Sequence, residues 1–174
     1  MRTQPNTYSP LAKTLHWLCV LLVIALLSIG FVAKSVHGPI VKTLFGLHKD
    51  LGLTLLILMI IRLYHRLKRG HPAPLPAPRY QQLGAWLTHI TLYVLIFVTI
   101  FVGWSMSAFS GHHTEFWGLI NVSLPFAVNK PLAHIGEFIH ECIAWALIVL
   151  ASLHILAALY HHFICKDDTL KRMW

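Results

Sequence analysis

The chain of 174 residues is 56% hydrophobic and only 11% charged, too apolar for an ordinary soluble domain. Its formal net charge of +8 does not imply nucleic acid, because no separate basic domain exists to carry such a partner. What remains is a small integral membrane protein forming a single domain over 1–174, an all-α four-helix bundle.

The first predicted helix covers roughly 14–34. Its apolar run exceeds the core of a cleavable leader and no small-x-small site follows it, so it is expected to be retained. The second, 43–64, carries His48, Lys49 and Asp50 near its start, which places those charges at the interface or inside the bundle. The alternating prolines of HPAPLPAPR, from His71 to Arg79, predict a stiff extended tie to the third helix, 83–109. A segment from Ser110 to His134, with Phe116, Trp117 and Phe126, suits an interfacial connection to the fourth helix, 137–165.

Basic residues set the orientation. Arg2 and Lys13 precede the first helix, Arg62, Arg66, Lys68, Arg69 and Arg79 lie between the second and third, and Lys166, Lys171 and Arg172 follow the fourth. Only Lys34, Lys42, Lys49 and Lys130 fall on the other side, so the positive-inside rule puts both termini in the cytoplasm.

The most informative spacing is His140 to His154. Fourteen steps of about 100° return the second ring to within about 40° of the first, about 21 Å farther along the axis. Two imidazoles on one helix face, at two depths of an apolar layer, need partners, and two stacked metal centres, most simply two haems, supply them. By depth His48 pairs with His140 near the outer face. Near the inner face His154 has two candidate partners, His16 and His89. Facing histidines fill both axial positions of a haem iron. Cys19, Cys142 and Cys165 are scattered, without the C-x-x-C-H of covalent attachment, so each haem is expected to be a noncovalent haem b.

KTLHWLCVLLVIA around His16, FGLHKDLGLTLLILMIIRLYHRL around His48, LTHITLYVLIF around His89, and HECIAWALIVLASLHILAALYHHFICKDDTLKRM resemble the bacterial cytochrome b561 family, and within it the members that oxidise superoxide. The resemblance covers nearly the whole chain. It implies an inner-membrane cytochrome with two haem b groups that passes electrons from superoxide to ubiquinone, the inner haem held by His16 and His154 and the outer by His48 and His140. With both axial positions filled, superoxide is expected to deliver its electron at the outer haem edge, attracted by Lys34, Lys42, Lys49 and Lys130. His161 follows His154 by about 10 Å on nearly the same face, which suits a hydrogen bond to the quinone or delivery of its proton. Ser9 is a second candidate quinone contact, Arg62 or Arg66 a partner for haem propionates, and His162 is expected in solvent. The same family includes electron-transfer subunits that dock on membrane dehydrogenases or hydrogenases, which is the alternative reading. A histidine-rich metal transporter is disfavoured, because Asp50, Glu137 and Glu141 all sit at outer helix ends.

Overall fold

A computed structural model describes residues 7–70, 72–73 and 75–174, so Arg2 and His71 lie outside the described residues. Four long helices, each apolar enough to cross a membrane, account for most of the chain: α1 (Pro10–Ser35), α2 (Ile40–Arg69), α3 (Arg79–Phe109) and α4 (Lys130–Tyr160). They are longer than the hydropathy runs, because local capping chemistry sets the ends and hydropathy does not. α1 starts where the Ser9 hydroxyl accepts the Ala12 N–H at 3.3 Å, with Pro10 needing no hydrogen bond of its own. α4 starts at Lys130, seven residues ahead of the apolar run, because Asn129 Oδ1 accepts the Leu132 N–H at 3.1 Å and Pro131 follows. α2 runs on through Arg66, Lys68 and Arg69, whose positive charges suit the negative end of a helix. It stops at Gly70, whose φ of 71° is open to glycine at no steric cost.

The helices pack mainly as α1 on α2 and α3 on α4, with α2 touching α3. Their outward faces carry exposed Leu21, Val94, Phe101, Val149 and Leu156, as expected where the solvent is lipid. The tightest packing is halfway along the bundle, where buried Cys19, Leu55 and fully enclosed Met59 meet Leu22, Val23, Tyr93, Ile96, Phe97 and Ile100.

Between α3 and α4 the chain makes a two-residue hairpin, β1 (Glu115–Phe116) with β2 (Ile120–Asn121), which hydropathy does not reveal. Its turn puts Trp117 at φ 52°, a strained choice for a large side chain. Two bonds to α2 hold it there: Trp117 N–H donates to Asp50 Oδ1 at 2.8 Å, and its indole donates to Thr54 Oγ1 at 3.2 Å. Asp50 therefore fastens the outer connection onto α2.

Past α4 the helix widens into a π turn over His161–Cys165, and Lys166 reverses the chain in the left-handed region at φ 55°. The C-terminal segment folds back over the start of α1: Lys13 donates to the Trp174 carbonyl at 2.7 Å and the Trp17 indole to the Met173 carbonyl at 3.0 Å.

Candidate haem sites

The alternating helix directions bring the histidines into two groups, one at each end of the bundle. At the first end, His48 on α2 and His140 on α4 face each other with ring centroids 6.2 Å apart. Two imidazoles on opposite sides of one metal, at about 2 Å per bond, stand roughly 6 to 6.5 Å apart, so this pair has the separation of two axial ligands. His140 Nδ1–H donates to the Thr99 carbonyl at 3.0 Å, which leaves Nε2 as its ligating nitrogen. His48 Nδ1 is buried with no completed hydrogen bond, although the Leu26 carbonyl is close enough to polarise it. Such an orphaned polar atom is costly unless the ring has another partner.

Two glycines stand against these rings. A Cβ on Gly103 of α3 would come within 2.8 Å of His140 Cε1, closer than any real side chain tolerates, and one on Gly30 of α1 would sit 3.5 Å from His48 Cε1. Both glycines line a cavity of about 990 Å³ that also contains His48, His140 and the four outer lysines. A volume of this size is at the upper end for cofactor sites. Spacing, orphaned nitrogen and the missing side chain at Gly103 together fit a planar macrocycle between α1 and α3.

At the other end three histidines gather. His154 packs against His89 with centroids 5.3 Å apart, and His16 lies within electrostatic reach of both. His16 Nδ1 accepts from Arg62 Nη2 at 2.9 Å. A guanidinium can only donate, so a neutral His16 carries its proton on Nε2 in this arrangement. His89 Nδ1–H donates to the Ala85 carbonyl at 2.6 Å, leaving its Nε2 lone pair free. His16 and His89 therefore both lie near His154, each engaged through Nδ1, as an acceptor in His16 and as a donor in His89. Arg62 and Arg66 lie over the Tyr93 ring, 5.3 and 5.5 Å from its centroid.

Beyond this group, His161 Nδ1–H donates to Asp167 Oδ2 at 2.5 Å. Partial burial raises the Asp167 carboxyl pKa, but hydrogen bonds from Thr169 and His161 outweigh it and hold the group below the usual carboxylate range. The Ser9 hydroxyl, besides capping α1, lies 3.3 Å from His65 Nε2, so His65 is half-buried and engaged rather than simply solvated. His162 also departs from the expectation of a solvated ring: it packs on Phe163 at 4.8 Å and its Nδ1 is buried. The wider π turn swings it off the exposed direction that a regular helix would give.

At the end of the bundle that holds His48 and His140, Lys34 pairs with Glu141 at 2.7 Å, and Lys49 and Lys130 donate to the carbonyls of His113 and Ser110. Sequence reasoning missed Gly30, Gly103, Asp50 and Asp167. The glycines show only as single residues in apolar runs, Asp50 acts through Trp117, distant in sequence, and Asp167 meets His161 only because the chain turns back after the π turn.

Four membrane-length helices holding paired histidines at two levels define a membrane cytochrome of the b type. Residues 7–174 match the prokaryotic cytochrome b561 family, and the chain belongs to that family of haem b-binding electron-transfer proteins of bacterial membranes. It is 32% identical to cytochrome b561 homolog 2 of Escherichia coli, over 97% of this chain and 92% of that one. It is also 32% identical to cytochrome b561 homolog 1 of the same organism, over 97% of each. A protein of Yersinia pestis named "Probable superoxide oxidase CybB" is 33% identical, over 95% of this chain and 94% of the relative.

Proposed function

We propose that the protein is a di-haem superoxide:ubiquinone oxidoreductase of the bacterial inner membrane, with both termini in the cytoplasm. The observation that carries this reading is the outer cavity, where His48 and His140 sit beneath a rim of Lys34, Lys42, Lys49 and Lys130. The cavity lining carries four ammonium groups against the two carboxylates of Glu137 and Glu141, a surplus that favours a small anion there, while Asp50 and Glu115 act on Lys49 from outside the lining. The similarity to a relative named as a superoxide oxidase points the same way.

The balanced reaction takes two superoxide anions, one ubiquinone and two protons to two dioxygen molecules and one ubiquinol. Haem b, when bound, supplies a one-electron carrier. His48 and His140 would hold the outer haem and His16 and His154 the inner, and two imidazoles on each would leave it to electron transfer rather than oxygen binding. Arg62, now bonded to His16, would pair with a cofactor carboxylate and so leave that imidazole free to ligate. At the inner end Asp167 accepts the Nδ1–H of His161 and so orients the ring; with both ring nitrogens protonated, Nε2–H would donate to the quinone carbonyl. Ser9, held at the same end by the returning C-terminal segment, is the second contact.

Two stopped-flow measurements on the purified haem-loaded protein test this. Superoxide should reduce the haems, at a rate that falls as ionic strength rises, and added ubiquinone should reoxidise them. Haems that remain oxidised in superoxide yet are reduced by a partner dehydrogenase would overturn the reading in favour of a docking subunit.

A further inference from the structure

The π turn that ends α4 does more than position His161. A ring nitrogen of His161, Sγ of Cys165 and a carboxylate oxygen of Asp167 all lie within 4.8 Å of one another. The backbone makes this cluster. His161 and Cys165 are four residues apart on one face of the widened turn, and the left-handed Lys166 folds the chain so that the Asp167 N–H donates to the His161 carbonyl at 3.2 Å. Nitrogen, sulfur and oxygen donors thus converge from seven consecutive residues, next to the proposed quinone site and away from the histidines of either haem.

We propose that His161, Cys165 and Asp167 form a binding site for a borderline divalent cation of the zinc class, whose occupancy takes the His161 ring from the quinone. The second half of this rests on the quinone role proposed for His161; the first half does not. A thiolate in the set selects against magnesium and calcium, which require oxygen ligands. A tetrahedral zinc with bonds of about 2.0 to 2.3 Å holds its ligand atoms roughly 3.3 to 3.8 Å apart. The 2.5 Å His161–Asp167 contact would have to open by about 1 Å, and the longest separation would have to close by a similar amount, both within the reach of side-chain rotation. Cys165 is an exposed free thiol at the very end of the fourth apolar span, with Asp167 beyond it, so the cluster stands at the membrane edge where a cation could reach it. Three protein ligands and one open position describe an exchangeable site, suited to inhibition rather than to structure. Binding displaces protons from imidazole and thiol, so affinity should rise with pH.

The test is calorimetric titration of the reduced, haem-loaded protein with zinc chloride, comparing wild type, Cys165→Ser and Cys165→His. The other histidines are identical in all three, so the difference isolates this site. Wild type should show one binding event that weakens at least about tenfold in Cys165→Ser and returns in Cys165→His, which restores a third ligand atom. Equal titrations of wild type and Cys165→Ser would overturn the site. Zinc should also slow reoxidation by ubiquinone in wild type but not in Cys165→Ser, with superoxide-driven haem reduction unchanged in both. A cysteine-dependent binding event with unaltered reoxidation would leave the metal site standing and remove His161 from the quinone.

Discussion

Replacing Gly103 by alanine adds a single carbon atom and tests the outer site directly. That carbon would lie 2.8 Å from His140 Cε1 and 3.0 Å from Nδ1, whereas apolar atoms rest at about 3.5 to 4 Å. The ring must therefore retreat by roughly 0.7 Å or more, and its Nδ1 bond to the Thr99 carbonyl, now 3.0 Å long, is lost or stretched. Losing that bond costs about 0.5 to 1.5 kcal/mol, and loss of an orienting partner typically weakens metal binding about 10- to 100-fold. Gly30→Ala is the matched control, since its carbon would meet His48 at 3.5 Å, an ordinary contact. Haem content per chain by pyridine haemochrome, together with the low-spin absorption bands, reads the outcome. Gly103→Ala should lose the outer haem or turn it high-spin, while Gly30→Ala keeps both. Two unshifted low-spin haems in Gly103→Ala would refute the placement of the cofactor between these helices.

His140→Ala and His154→Ala should each remove one haem, and different ones, because the residues lie about 21 Å apart along α4; a spectrum unchanged by either substitution would contradict this. His16→Ala should lose the inner haem or leave it high-spin, and His89→Ala should keep two low-spin haems. The opposite pattern in the same spectra would move the ligand to α3, where the His89 Nε2 is already free. His161→Ala should leave superoxide-driven reduction intact and slow reoxidation by ubiquinone about two- to tenfold, the worth of one hydrogen bond, and unaltered stopped-flow reoxidation would return it to an interfacial role. Because the Asp167 carboxyl titrates below its usual 3.8, its contribution is complete above that value and is lost only as the pH falls further. Any change in wild-type reoxidation between pH 5 and 8 should therefore persist in Asp167→Asn, which a pH series on both proteins checks.

Hydropathy located the four helices and helical periodicity the stacked histidines, because both depend on residues near in sequence. The pairing of His48 with His140 followed from depth alone, and the 6.2 Å separation of their rings agrees with it. Helix ends were less legible: the Asn129 cap and the Gly70 stop are local hydrogen-bond and backbone effects that outreach the apolar runs. The hairpin at Trp117 could not be read at all, since its strained turn depends on Asp50 and Thr54, more than sixty residues away. Nor could sequence choose between His16 and His89, as both face the inner level; the structure engages Nδ1 in each, as an acceptor from Arg62 in His16 and as a donor to the Ala85 carbonyl in His89.

The position of the apolar core bears on how the two ends can work together. Cys19, Leu55 and Met59 are buried between the level of His48 and His140 and the level of His16, His89 and His154, and Tyr93, Ile96, Phe97 and Ile100 close around them. Met59 is wholly inaccessible, and none of the three core side chains offers a strong hydrogen-bonding group to water or to a proton relay. Polar groups at the edge of this layer are the Tyr93 hydroxyl and the Arg62 side chain beside Cys19, and water gains little by entering the apolar remainder without polar partners. An electron needs no such partners to cross a layer this thin, but a proton does. On the proposed reading, this packing favours electrons over protons between the two levels, and the protons for quinone reduction would come from the inner side. That is the side on which His161 and Asp167 stand, within reach of water, at the end of the helix that carries His140 and His154.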